Sequence, residues 1–240
     1  MIRKLFRFSL KVILWFIGLS LFFVILFRFV PVPYTPLMFI RGYEQIKSDK
    51  PFTLKHQWVS LDKINVNLQK AVIITEDGHF LKHNGFDMKA IEKAMKNNEK
   101  ENARIKGGST ISQQTAKNVF LWPGRSYIRK GFEAYFTVLI EIFWSKERIL
   151  EVYLNSIEMG DGVYGAQAAA QYWYRKDAIK LTSAEAASIA VILPNPRKYK
   201  ATNSGPYISK RKQLITKYIN SYGKLTFTED KADIKKGKNK

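Results

Sequence analysis

Between Val12 and Phe27 the chain reads VILWFIGLSLFFVILF, with no charged residue. A helix that is apolar on every side must be buried in a large core or in a membrane. This one would span roughly 24 Å, slightly less than a hydrocarbon core of about 30 Å. Lys11 and Arg28 can snorkel to the two interfaces, and Phe29 and Val30 lengthen the apolar stretch. Arg3, Lys4, Arg7 and Lys11 precede it, so the N-terminus is expected in the cytoplasm and the rest outside it. A secretory leader begins in the same way, but no small-x-small cleavage site follows. Arg28 and then Pro31-Val32-Pro33 come instead, and a retained anchor is expected.

The remainder of the 240 residues suits one globular domain. Lys and Arg number 40 against 20 Asp and Glu, a formal charge of +20 that favours phosphorylated substrates, anionic lipid or nucleic acid. There is no cysteine, which excludes disulfides and thiolate metal sites. The expected organisation is a basic N-terminus over 1–11, a transmembrane helix over 12–30 and an exit and jaw-side segment over 31–66. A catalytic domain over 67–222 and a charged tail over 223–240 follow. The tail from Thr228 is expected to be disordered.

Helical signals dominate. Asp87 is a candidate N-cap, and Lys96 to Lys106 reads as a polar loop. Thr110 and Gln113 have capping-box spacing and open a helix to about Phe120, which Trp122-Pro123-Gly124 terminates. One long helix is expected from about Tyr127 to Leu154, its apolar face carrying Phe132, Tyr135, Phe136, Leu139, Ile140 and Phe143. Glu133 falls at the border of that face and Glu141 on the opposite, solvated side. Gly160 to Gly165 reads as a loop. Thr182 and Glu185 form a second capping box before an Ala-rich helix that Pro194 ends. Ile208 to Tyr222 is a basic amphipathic helix. The predicted fold class is mostly α.

Two glutamates flank the polar segment Gly107-Gly108-Ser109-Thr110-Ile111-Ser112-Gln113-Gln114. Paired carboxylates across a cleft are the usual tools of chemistry at an anomeric carbon. Glu76 follows an apolar stretch and precedes Phe80, so partial burial should raise its pKa and suit it to proton transfer. Asp77 beside it can repel it or orient a neighbouring cation. His79 and His83 have i, i+4 spacing, but no third ligand is evident, and hydrogen bonding is the expected role. Lys117, Arg125, Arg129 and Lys130 cluster around the same segment and point to a phosphate-bearing substrate. Val119-Phe120-Leu121-Trp122 suits either the membrane interface or the core.

Taken together, Glu76-Asp77-x-x-Phe80-x-x-His83-x-Gly85, Gly107-Gly108-Ser109-Thr110-Ile111-x-Gln113-Gln114 with Lys117-Asn118, Arg129-Lys130-x-x-Glu133 and Lys146-x-x-Ile149-Leu150-x-x-Tyr153-Leu154-Asn155 resemble the peptidoglycan glycosyltransferases of glycosyltransferase family 51. So does the segment from Gly162 to Tyr172. The likeness covers about residues 70 to 195. Ser112 stands where the family more often has Thr, and keeps the hydroxyl. The resemblance implies a lysozyme-like fold with a large lobe and a membrane-facing jaw, in an enzyme of cell-wall biogenesis at the inner membrane. It implies a growing glycan on undecaprenyl diphosphate as donor and lipid II as acceptor. Glu76 matches the general base, Lys117 and Arg125 the cations on the diphosphate, and Glu133 the second carboxylate near it. Ser109, Thr110, Gln113 and Gln114 would line the cleft, with Asp77, Arg129 and Lys130 as further substrate-binding candidates. No cofactor is evident; a divalent ion is compatible with a diphosphate, although no dedicated site for one is visible. Other proteins of wall synthesis or division are conceivable partners, and nucleic acid is not expected.

Two readings compete. A lytic transglycosylase or lysozyme-like enzyme would cut finished glycan with one protonated glutamate. A membrane-tethered basic scaffold would use the charge alone. Ser60-Leu61-Asp62-Lys63 fits S-x-x-K, but no S-x-N or K-[ST]-G partner follows, and Ser60 reads as structural.

Overall fold

A computed structural model describes residues 2–49, 51–98, 108–124, 126–202 and 205–227. The expected tail from Thr228, Arg125, Gly107 and most of the expected 96–106 loop therefore lie outside the described residues. The fold is mostly α, as the helical patterning predicts. Helix α1 (Ile2–Phe29) is long and apolar enough to cross a membrane and exposes most of its large side chains.

After α1 come α2 (Pro36–Lys47), α3 (Val66–Glu76), α4 (Met88–Asn98), α5 (Ile111–Phe120), α6 (Tyr127–Phe143) and α7 (Lys146–Ser156). Helices α8 (Ala166–Tyr174), α9 (Ser183–Ile192) and α10 (Pro206–Ser221) complete the chain. Both capping boxes form: Thr110 with Gln113 opens α5, and Thr182 with Glu185 opens α9. Each satisfies two backbone donors that the helix itself leaves open. Helix α3 lies at the centre, burying Leu68, Ala71, Val72 and Ile73 among α9 and α10. Helix α5 packs on α6 and α7. This arrangement sets the C-terminus of α3 beside the N-terminus of α5.

Several expectations are corrected. The long helix over 127–154 is two helices, because Trp144 leaves helical geometry and the Ser145 hydroxyl caps the Arg148 N–H to begin α7. Helix α4 extends to Asn98, past the expected loop start at Lys96. Segment 160–165 is no simple loop: β2 (Glu158–Gly160) pairs antiparallel with β3 (Val163–Tyr164), which pairs parallel with β1 (Lys55–His56). Glu141 is not on a solvated face but half-buried, hydrogen-bonded to the Ser112 hydroxyl and paired with Lys146 at 2.7 Å. Helix α6 is covered on two sides, by α1 and by the segment holding Gly85. A Cβ on Gly85 would lie 2.8 Å from Thr137 and 3.0 Å from Glu141 of α6, and its φ is +88°. Only glycine meets both conditions without strain.

Helix α1 does not float free of the domain. Phe16 of α1 packs against Phe132, Tyr135 and Phe136 of α6. Phe120 stacks on Phe136 at 4.5 Å, so the segment 119–121 is core, while Trp122 is half-exposed. The last carbonyls of a helix have no partner within it. Here Arg148 donates twice to Phe27 O and also reaches Val30 O, while Trp144 Nε1 donates to Val24 O, inside the helix, at 2.7 Å. Replacing Arg148 with Ala strips its three bonds to α1 and the exit segment and should cost about 1–3 kcal/mol. The check is a lowered melting temperature for the full chain in detergent.

Candidate active site

Glu76 is the last residue of α3, and the chain turns there because Asp77 leaves helical geometry. The Asp77 carboxylate accepts the Ile111 N–H at 3.0 Å and lies 2.9 Å from His83 Nε2, all buried. An anion at a helix N-terminus is stabilised by the unpaired N–H groups there. Asp77 thus fastens the end of α3 to the start of α5, which is its orienting role. Asp77→Asn should cost about 1–3 kcal/mol, read as a shift of the urea midpoint, and displace Glu76 from its partner.

That partner is Gln114 on α5, whose Nε2 donates to Glu76 Oε2 at 3.0 Å. Tyr153 of α7 is fully buried and donates its hydroxyl to Gln114 Oε1 at 3.3 Å. Burial pushes the Tyr153 hydroxyl well above its ordinary range, so it keeps its proton. The relay fixes the Gln114 amide with its NH₂ toward Glu76. Burial raises the Glu76 carboxyl above the ordinary glutamate value. The Gln114 bond and the charges of Arg211 and Lys117 oppose that rise.

Glu133 is a different kind of carboxylate. It is 3 % exposed and holds Arg129 Nη1 at 2.7 Å and Lys130 Nζ at 2.5 Å, both from its own helix. Its two oxygens are committed to cations. The Lys117 ammonium, by contrast, makes no hydrogen bond or ion pair among the described residues, and the residue is half-buried. Burial lowers its pKa, the attraction of Glu133 opposes this, and Arg129 and Lys130 lower it further.

The Glu76–Gln114 bond links the linings of two cavities. One of 510 Å³ is lined by Gln114, Lys117, Asn118 and Arg129, with Leu121 and Trp122. The other, of 310 Å³, is lined by Glu76, Asp77, Gly78, Ser109 and Thr110, with Lys89 and Lys93 of α4. The expected site residues therefore divide between a carboxylate side and a cation side. Gln113 lines neither cavity; its amide oxygen accepts the Thr110 N–H. Lys130 faces a separate surface hollow beside Tyr127. Arg125 lies outside the described residues. Arg41 and Glu158, far apart in sequence, also line the larger cavity and carry no motif that would mark them. Among the described residues no group of three or more His, Cys, Asp and Glu could hold a metal ion. His79 lies instead 2.7 Å from Asp87.

Residues 44–220 match the model of a family described as transglycosylase. The chain belongs to the transglycosylase family. Membership makes it an enzyme of glycosyl transfer with the lysozyme-like, mostly helical domain of that family. The chain is 54 % identical over 236 residues to a protein of Bacteroides thetaiotaomicron named biosynthetic peptidoglycan transglycosylase, covering 98 % of this chain and 94 % of that one. It is 56 % identical over 194 residues to a Caulobacter vibrioides protein of the same name, covering 81 % and 82 %. A Pseudomonas aeruginosa protein, again so named, is 48 % identical over 215 residues, covering 90 % and 92 %. The transglycosylase match begins at residue 44, within α2, and so takes in the wall that carries β1 as well as the motif-bearing helices.

Proposed function

We propose that this transglycosylase polymerises lipid II into β-1,4-linked glycan strands for the cell wall and releases undecaprenyl diphosphate. The observation that carries the proposal is the asymmetry of the two glutamates. Glu76 has a raised pKa and a single amide partner, whereas Glu133 is saturated by two cations beside the uncommitted Lys117. The names of the relatives supply the substrate class.

In this reading the acceptor's GlcNAc sits in the smaller cavity and the donor's diphosphate in the larger. Glu76 takes the proton of the 4-hydroxyl as its oxygen attacks C1 of the donor MurNAc. The C1–O bond to the diphosphate breaks, its electron pair leaves with that oxygen, and C1 inverts to the β link. Lys117, Arg125 and Arg129 meet the charge that develops on the departing diphosphate. A diphosphate leaves as an anion, so Glu133 need not donate a proton and acts by holding Arg129 and Lys130 in place. Ser109 and Thr110 border the acceptor. We read the chain as divided over 1–11, 12–30, 31–66, 67–222 and 223–240, with this site outside the inner membrane on a single-pass anchor whose basic N-terminus is cytoplasmic.

A cleaving enzyme differs in its product. Purified full chain in detergent should convert fluorescent lipid II to polymer and release no muropeptides from finished peptidoglycan. Muropeptide release without polymer would overturn the reading in favour of a lytic enzyme.

A further inference from the structure

The larger cavity has a second wall. Helix α2 contributes Arg41, which faces the space that Lys117 and Arg129 line from α5 and α6. Arg41 and Arg129 are built alike. Each is tied through Nη1 to a glutamate on its own helix, Arg41 to Glu44 at 2.5 Å and Arg129 to Glu133 at 2.7 Å. The Nε of each is buried and has no acceptor among the described residues. Buried guanidinium donors without partners are rare, and two on one cavity call for an explanation. A ligand with several anionic oxygens supplies one, since oxygens entering between the arginines reach both after a small rotation of each guanidinium.

Charge accounting agrees. Glu44 is not dependent on Arg41 alone, because Arg197 lies 3.9 Å from it. Glu158, the acidic residue on the same cavity wall, is buried; burial raises its pKa, and the Gly162 N–H and the charges of Arg41 and Arg197 oppose that rise. Among the residues that line the cavity, Arg41, Lys117 and Arg129, from three separate elements, stand against the one acidic side chain of Glu158. Leu37, one turn before Arg41, and Trp122 on the opposite side give it an apolar rim, which suits the first part of a lipid chain.

We infer that Arg41 is a substrate-binding residue that contacts the diphosphate of the lipid-linked donor from the wall opposite Arg129. The inference rests on the proposed function for its substrate, but its contact can be tested without turnover. Inorganic pyrophosphate binding and lipid II polymerisation are measured on the full chain in detergent, as wild type and with Arg41→Gln, Arg41→Lys and Glu44→Gln. Arg41→Gln should weaken pyrophosphate binding by about tenfold or more and raise the KM for lipid II similarly, with a smaller change in kcat. Glu44→Gln breaks the same ion pair but keeps the cation, and should stay within about threefold of wild type. Unchanged pyrophosphate affinity in Arg41→Gln, or an equal loss in Glu44→Gln, overturns the inference. If Arg41→Gln does not fold, Arg41→Lys decides: weaker binding at an unchanged melting temperature is expected, and unchanged binding overturns it. Wild type that binds pyrophosphate through Arg41 yet makes no polymer would overturn the functional reading and leave the contact standing.

Discussion

Glu76→Gln should lose about 10²- to 10⁴-fold in the rate of lipid II polymerisation, the usual contribution of a general base, while becoming more stable at neutral pH. Burial raises the Glu76 pKa in the folded chain. A carboxyl with a raised folded pKa favours folding while protonated. That contribution is fully present below the unfolded value and is lost as pH rises through the folded one. At neutral pH the wild type therefore carries a buried carboxylate that the folded state disfavours, and Gln removes it. Gln can still meet the Gln114 amide. Thermal melts of both proteins should differ in favour of the variant at pH 7 and converge near pH 4. A variant less stable than wild type at pH 7, or one of near-normal activity, would contradict the assignment.

Lys117→Met should reduce kcat by roughly 10²- to 10³-fold, the usual effect of removing one donor from a charge-stabilising site. The Lys117 ammonium makes no hydrogen bond or ion pair among the described residues, although Glu133 and Glu76 attract it from further off. Lys117→Arg is the informative companion. Burial lowers the pKa of Lys117, so its charge is lost at a lower pH than that of an ordinary lysine. An arginine does not lose its charge in that range. The alkaline limb of the rate profile should therefore move upward in Lys117→Arg, whatever the absolute rate. A limb that stays in place would assign it to another group.

Much of the site was legible in the chain because its signals are local. Thr110 and Gln113 sit three apart, and the capping box forms as that spacing predicts. Glu76 follows an apolar run, and burial raises its pKa. Helix α2 was hidden because its amphipathicity is inverted. It buries Met38, Gly42 and Gln45 while Phe39, Tyr43 and Ile46 face outward. A search for an apolar buried face cannot find such a helix, and Arg41 was hidden with it. The small sheet was missed because strands of two or three residues are too short to show alternation. Glu141 was misplaced because a helical wheel assigns one buried face, and α6 has contacts on two. The division of the site into two cavities depends on pairs such as Glu76 with Gln114 and Arg41 with Arg129, which only the fold brings together.

The central claim, that an ionised Glu76 and a charged Lys117 act in one step, is tested most directly by the pH dependence of kcat/KM for lipid II polymerisation by the wild-type chain. The expected profile is a bell. Its acid limb lies above the ordinary glutamate value, because the base must lose its proton against burial, and its alkaline limb lies below the ordinary lysine value. A rate that is already maximal at pH values where ordinary glutamates titrate, or that falls as pH rises through the acid limb, would contradict it.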